Sequence, residues 1–172
     1  MDGVRRRLPV YGPRGTAERI ARAYGVEAAE DVGAELDFRT VTDRVPFHVG
    51  GLRVEPFAVR HPVEAYGYRV DDGRRVLAFT GDTDECPALS PLLRDVDLAV
   101  MDAAFEQGRD AARGIHLTAE RAAAAAVDAG GVRRLMLTHL PAWNDRDASR
   151  TAAATIWPGE VELAEHARTY PV

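Results

Sequence analysis

The stretch RRLMLTHLPAW, Arg133 to Trp143, holds the run Leu135-Met-Leu137, which stops abruptly at Thr138-His139 before Pro141 and Trp143 turn the chain. A short run that is apolar at successive positions reads as a strand buried on both sides, which requires a sheet with covered faces. An imidazole at the tip of such a strand is held in place by the sheet behind it. Three other stretches share the design. FAVRHP puts His61 just after a strand, VLAFTGDTD puts Asp82 after another, and LAVMDAAF puts Asp102 at the end of a third.

The rest of the chain supplies helices between such strands. Thr118 is placed to cap an alanine-rich helix that runs to Ala129, with Glu120 in its first turn and Gly130 after its end. Small alanines let that helix lie close on a sheet. Val132–Thr138 follows as a strand, and Asp97–Met101 precedes. Ala65–Val70 and Arg74–Thr80 flank Asp71-Asp-Gly73, a hairpin signal because Asp-Gly tolerates the positive φ of tight turns. Further strands are expected at Leu8–Tyr11, Glu35–Val41, Leu52–Val59, Glu160–Leu163 and Arg168–Tyr170, with Pro56 marking an edge or a bulge. Further helices are expected at Ala17–Tyr24, capped by Thr16 and stopped by Gly25, at Pro87–Arg94, and at Asp145–Ile156, capped by Asn144 or Asp145; Val26–Gly33 reads as loop. The pattern is that of a mixed α/β fold, and 172 residues suit one domain with a core of its own.

Composition narrows the partners. The net charge of −5 does not favour nucleic-acid binding through a basic face. With Cys86 the one cysteine, a disulfide framework within the chain and a thiolate zinc cluster are both excluded. No stretch is apolar for long enough to span a bilayer, and Met1–Arg7 is basic with no hydrophobic segment behind it. A cytoplasmic protein is expected.

Histidines and aspartates therefore carry any chemistry. Ligands of α/β folds gather outside the carboxyl ends of strands. There His61, Asp82 and His139 would suit Zn²⁺ or a similar divalent cation, which imidazole nitrogen and carboxylate oxygen both bind. His116, in RGIHLTAERA, lies in the loop before the alanine-rich helix. Singly, each has a plainer reading: an Asx turn for Asp82, a loop hydrogen bond for His61 or His116, a carbonyl contact for His139, a solvated strand end for Asp102. His48, in a glycine-bounded turn, and His166, in a charged stretch, read as surface residues.

Taken in order, HPVEAYGYRV, FTGDTD, MDAAF, HLTAERAA and LMLTHLPAW resemble the metallo-β-lactamase superfamily in its ribonuclease Z-like and phosphodiesterase-like branch. LPVYGPRGTAERIARAYG resembles that family's middle segment. The resemblance covers nearly the whole chain and implies a partial αββα sandwich, its C-terminal portion. It implies that His61 and Asp82 serve one metal and Asp82 and His139 a second, with Asp82 bridging. His116 resembles the histidine that contacts the substrate phosphate or protonates the leaving group. Asp102 stands where relatives often carry glutamate, beside that histidine. The implied cofactor is zinc, two ions per complete site, with manganese or iron as substitutes. The implied reaction is hydrolysis of a small phosphodiester or ester by a metal-activated water. The family's His-x-His-x-Asp-His motif has no counterpart, since the sequence contains no His-x-His. A single domain over residues 1–172 that lacks the family's N-terminal portion is therefore expected. The alternative is a non-catalytic domain that dimerises or binds a partner.

Overall fold

Strand and helix signals alternate along the chain, and the computed structural model turns them into layers; it describes residues 7–26 and 33–172. Two compact units result, one up to Thr42 and one from Asp43 to Val172. In the first, β1 (Leu8–Gly12) pairs in parallel with β2 (Leu36–Thr40), and α1 (Thr16–Tyr24) lies between them in sequence. Gly25 stops α1 as expected, its N–H returning to Ala21 and Arg22. Thr16 does not cap it. Gly15, at φ 76°, takes the N-cap position with no side-chain bond, and the Thr16 hydroxyl donates to the Pro13 carbonyl at 2.6 Å. The expected loop Val26–Gly33 falls largely outside the described residues.

The second unit is a seven-stranded sheet in sequence order. Its strands are β3 (Phe47–Val49), β4 (Leu52–Ala58), β5 (Tyr66–Asp71), β6 (Val76–Phe79), β7 (Leu98–Asp102), β8 (Leu135–Thr138) and β9 (Val161–Leu163). β3 to β6 pair antiparallel and β6 to β9 parallel. The Asp71-Asp-Gly73 hairpin forms as expected: Gly73 takes φ 86°, and Asp72 accepts from the Arg74 and Arg75 amides. Pro56 sits on β4 beyond the last pair with β3, Phe47 with Val54. Its carbonyl accepts from Arg44 N on that side, where its own nitrogen has no strand to serve.

Two further sequence expectations do not hold. His48 lies on the edge strand β3, not in a turn; the turn is at Gly50-Gly51, and a three-residue strand is too short to show a period. Arg168–Tyr170 forms no strand. Instead the Tyr170 hydroxyl donates to the Leu163 carbonyl and accepts from the Glu165 amide, which folds the C-terminal segment back on β9.

Crossovers between parallel neighbours are right-handed as a rule, so successive steps in one direction put their helices on one face. α2 (Leu89–Leu93), α3 (Ala119–Ala129) and α4 (Arg146–Ala154) form that layer, and both α2 and α4 pack on α3. Ala119, Ala122, Ala123, Ala126 and Ala129 make the buried stripe of α3, at the spacing one helix face requires. They meet Ala99, Met101, Leu135 and Leu137 of β7 and β8 in a single apolar cluster. Thr118 caps α3 from its side chain, and Asp145, not Asn144, caps α4 by accepting from the Asp147 and Ala148 amides. On the opposite sheet face, Phe79 keeps 42% of its surface exposed. Among the described residues no helix is long and apolar enough to cross a membrane.

The fit of α2 against β5 depends on Gly67. A Cβ there would lie 2.6 Å from Leu92 Cδ2 and 2.9 Å from the Thr80 carbonyl oxygen. Gly67→Ala is expected to cost about 1–3 kcal/mol, read as a lower urea midpoint at unchanged slope.

At the amino ends of the strands, Asp97 accepts from the Val76 amide, from Arg75 and from Arg133. The Val76 amide bond first, then the Arg75 guanidinium, hold its carboxyl below the free value of 3.8, against the opposing effect of burial. A depressed carboxyl stabilises the fold above its unfolded value and loses that contribution as pH falls through its folded value. The melting-temperature difference between the wild type and Asp97→Asn should therefore be full above pH 3.8 and shrink below it. A difference that does not vary with pH would refute the linkage.

Candidate metal centre and its acid

β4 is antiparallel to β5 and β5 to β6, so β4 runs parallel with β6, β7 and β8. The carboxyl ends of these four strands lie at one edge of the sheet. His61 follows β4, Asp82 follows β6, Asp102 ends β7 and His139 follows β8. All five residues singled out in the sequence come together there. His139 Nδ1 is 3.1 Å from Asp82 Oδ1 and 3.6 Å from Asp102 Oδ1. The His116 ring centre lies 4.9 Å from that of His139 and 5.6 Å from that of His61. Ligand atoms of Asp102, His116 and His139 fall within 4.8 Å of one another. His48 and His166 stay exposed and outside the cluster, as expected.

Backbone geometry sets two of these positions. Gly81 takes φ 61°, and a Cβ there would meet the Tyr66 carbonyl oxygen at 2.8 Å, so the turn that presents Asp82 needs glycine. His139 itself takes φ 60°, a left-handed conformation uncommon for a residue with a side chain. The chain thus leaves β8 by a sharp turn directly at the imidazole.

Asp102 is the buried member of the group. Its Oδ2 accepts from His116 Nδ1 at 2.8 Å and from the Thr83 amide at 2.9 Å; its Oδ1 accepts from the Ala104 amide at 2.9 Å. Its own amide donates to Thr80 Oγ1. Burial pushes its carboxyl up, against the Thr83 amide, His116 and the Ala104 amide, which favour the ionised form. Asp102 thus reaches the His116 ring at Nδ1, and it leaves Nε2 as the nitrogen free for other work. Phe105 backs the same ring edge-on at 5.1 Å.

Every candidate ligand is an imidazole nitrogen or a carboxylate oxygen, the set that zinc and its substitutes accept. His61 Nδ1 is buried with no hydrogen-bond partner, a deficit that a ligand would relieve. By donor type these residues suit a divalent cation, although the described residues whose ligand atoms come within one cation's reach are Asp102, His116 and His139 rather than His61, Asp82 and His139.

Several contributors were not legible beforehand. Thr80 and Thr83 orient Asp102 and Asp84 ties down the His116 loop, yet in sequence FTGDTDE reads as a turn with solvated acids. Beside His116 and His139 opens a cavity of about 650 Å³ lined also by Phe105, Arg109, Trp143 and Arg146. Asn144, buried at its margin, donates to the Ala104 carbonyl and accepts from Arg109, so it serves the wall of this cavity and not the cap of α4. The exposed tryptophan in LPAW was the one available signal of a pocket.

Comparison with known proteins agrees with this architecture. Residues 1–140 match the family described as "Beta-lactamase superfamily domain". An uncharacterized protein of Mycobacterium leprae is 33% identical over 167 residues, which are 95% of this chain and 58% of the relative. The probable metallo-hydrolase YhfI of Bacillus subtilis is 29% identical over 157 residues, 88% of this chain and 64% of its own length. A ribonuclease Z of Myxococcus xanthus is 45% identical over 97 residues, 54% of this chain and 31% of the enzyme. The crystal structure of YhfI, a metallo-β-lactamase fold protein, superposes with a TM-score of 0.78 at 25% identity, over 92% of this chain and 62% of that one. The chain thus spans under two thirds of the length of these relatives. By fold and by sequence, it belongs to the metallo-β-lactamase superfamily of metal-dependent hydrolases.

Proposed function

We propose that this chain is a metal-dependent phosphodiester hydrolase, or the catalytic portion of one. The observation that carries the reading is the meeting of His61, Asp82, His116 and His139 at one sheet edge around a buried Asp102. His61, Asp82 and His139 would hold zinc, or manganese or iron in its place, with Asp82 able to serve two ions because a carboxylate has two oxygens. A bound divalent cation supplies an acidified water and positive charge for a phosphoryl oxygen.

The rest is the work of the protein. Asp102 accepts a hydrogen bond from the Nδ1–H of His116, which fixes the tautomer and turns Nε2 outward. A protonated His116 then gives its Nε2 proton to the departing oxygen of the substrate, and Asp102 stabilises the cation until that transfer. Asp102 is itself buried, so the carboxylate end of this pair is shielded from bulk water. Phe105 limits rotation of the ring. Proton donation by a positioned group of this kind contributes about 10²–10⁴-fold to rate.

The substrate favoured is small. A cavity of about 650 Å³ adjoins His116 and His139, in the range of pockets for single small ligands. Trp143, with 77% of its surface exposed, stands at the pocket with Arg146 and gives it a flat apolar wall beside a cation. The ribonuclease Z relative is named for cleaving RNA, whose backbone is a phosphodiester. The net charge of −5 weighs against a long polyanion and for a small diester.

Protein purified without chelator should carry divalent metal by elemental analysis, and His139→Ala should carry at most half as much. Hydrolysis of bis(p-nitrophenyl) phosphate should cease on chelation and return with Zn²⁺ or Mn²⁺. His116→Ala should retain its metal and lose about 10²–10⁴-fold in kcat. A wild-type chain without metal, or hydrolysis indifferent to chelator, would defeat the reading and leave a domain that associates without catalysis.

A further inference from the structure

Asp84 follows Asp82 by two residues, yet none of its surface reaches water. Both of its oxygens are fully used. Oδ1 accepts from the Glu85 amide at 2.8 Å and from Arg121 Nη1 at 2.6 Å. Oδ2 accepts from the Gly114 amide at 2.6 Å and faces Arg113 Nε at 2.9 Å. The partners lie on two different pieces of chain. Arg121 sits in the first turn of α3, while Arg113 and Gly114 belong to the loop that delivers His116.

Stability alone does not account for this arrangement. Buried ion pairs stabilise little beyond what apolar residues of the same size would, because desolvation offsets the attraction. Arg121 is also unfavourably placed in two respects. A cation in the first turn of a helix opposes the helix dipole, and its Nε is buried with no partner. What the cluster does accomplish is conformational. The segment from Ala103 to Thr118 contains no helix or strand, only a bridge between Phe105 and Thr118. Within it, the Gly114 amide and the Arg113 side chain are fastened to Asp84, two residues before His116. The backbone of Asp84 continues the same task on the other side. Its amide donates to the Arg60 carbonyl, and the Arg60 amide donates to Thr83 Oγ1, so the chain entering His61 is tied to the same turn.

We propose that Asp84 is a positioning residue: with Arg113 and Arg121 it holds the Arg113–His116 loop in the one conformation that brings the His116 ring onto Asp102. The loop by itself has the freedom to carry His116 away from the strand ends. The Asp84 carboxylate removes that freedom by fixing the loop to α3 and to the turn that bears Asp82. Its effect on rate rests on the hydrolase reading, and its effect on the His116 ring does not.

The experiment reads the two effects separately. The ring N–H proton of His116, identified by its loss in His116→Gln, is followed in the ¹H–¹⁵N spectrum of the full chain. In Asp84→Asn that proton should broaden or return to the range of a solvent-exposed imidazole, while the signals of His48 and His166 stay in place. An unchanged His116 proton in a folded Asp84→Asn protein would overturn the proposal. Should Asp84→Asn fail to fold, Arg113→Met decides, because that side chain is half exposed and is not part of the apolar core. A broadened or shifted His116 proton there supports the proposal, and an unchanged one overturns it. In the diester assay the same variants should lose about tenfold or more in kcat at constant KM, as expected when an acid is misplaced rather than a binding contact removed. A wild-type chain with no diesterase activity would defeat the hydrolase reading and leave the ring measurement as the test of Asp84.

Discussion

A carboxylate buried at the end of β7 organises the edge of the sheet. An ionised group taken out of water is tolerated only when its oxygens are matched by donors. The donors that match Asp102 come from Thr83 after β6, from Ala104 just beyond its own strand, and from His116 far along the chain. The need to satisfy one anion therefore locks three segments in mutual register. Asp84 repeats the device, with guanidinium groups taking the place of the imidazole. Two adjacent buried acids, Asp102 and Asp84, thus set where Asp82 and His116 can be.

Behind this polar edge, the apolar layer determines distances. Alanines at each contact of α3 let the helix lie close over β7 and β8. Because β6, β7 and β8 are parallel neighbours, their ends fall side by side, and residues that follow them become neighbours whatever their separation in sequence. His139 adds a left-handed turn at the end of β8. Strained backbone of this kind recurs where a side chain has to be aimed rather than merely buried.

The legible part of the sequence was the part governed by local rules. The alanine stripe, the Thr118 and Asp145 caps, the Asp-Gly hairpin and the apolar run of β8 each depend on residues within a turn or two of one another. The polar residues after the strands were legible for the same reason, since a strand end marks its own next residue. What escaped depends on distance. Asp84 meets Gly114 and Arg121 across 30 and 37 residues, and nothing in DTDE distinguishes a buried acid from solvated ones. Phe47 and Val49 suit a strand, but three residues are too few to show a period, and β3 takes its place by pairing with the edge of β4. Arg168–Tyr170 has strand-forming residues, but a tyrosine hydroxyl bonding back to Leu163 takes that segment out of the sheet. Thr16 failed as a cap for want of one residue: Gly15 already occupied the turn.

The sequence separations of the site also say when it comes into being as the chain folds. Asp102 meets His116 across only 14 residues, whereas His139 reaches Asp102 and Asp82 through the pairing of β8 with β7 and of β7 with β6. Local pieces such as the hairpin and α3 close short loops and form early, whereas contacts across long separations pay a larger loop-closure cost and form late. Contacts such as that of Asp82 with His139, made between segments far apart in sequence, are therefore expected among the late ones. A half-folded chain would hold these imidazoles and carboxylates apart, so any cation they bind would be coupled to completion of the sheet.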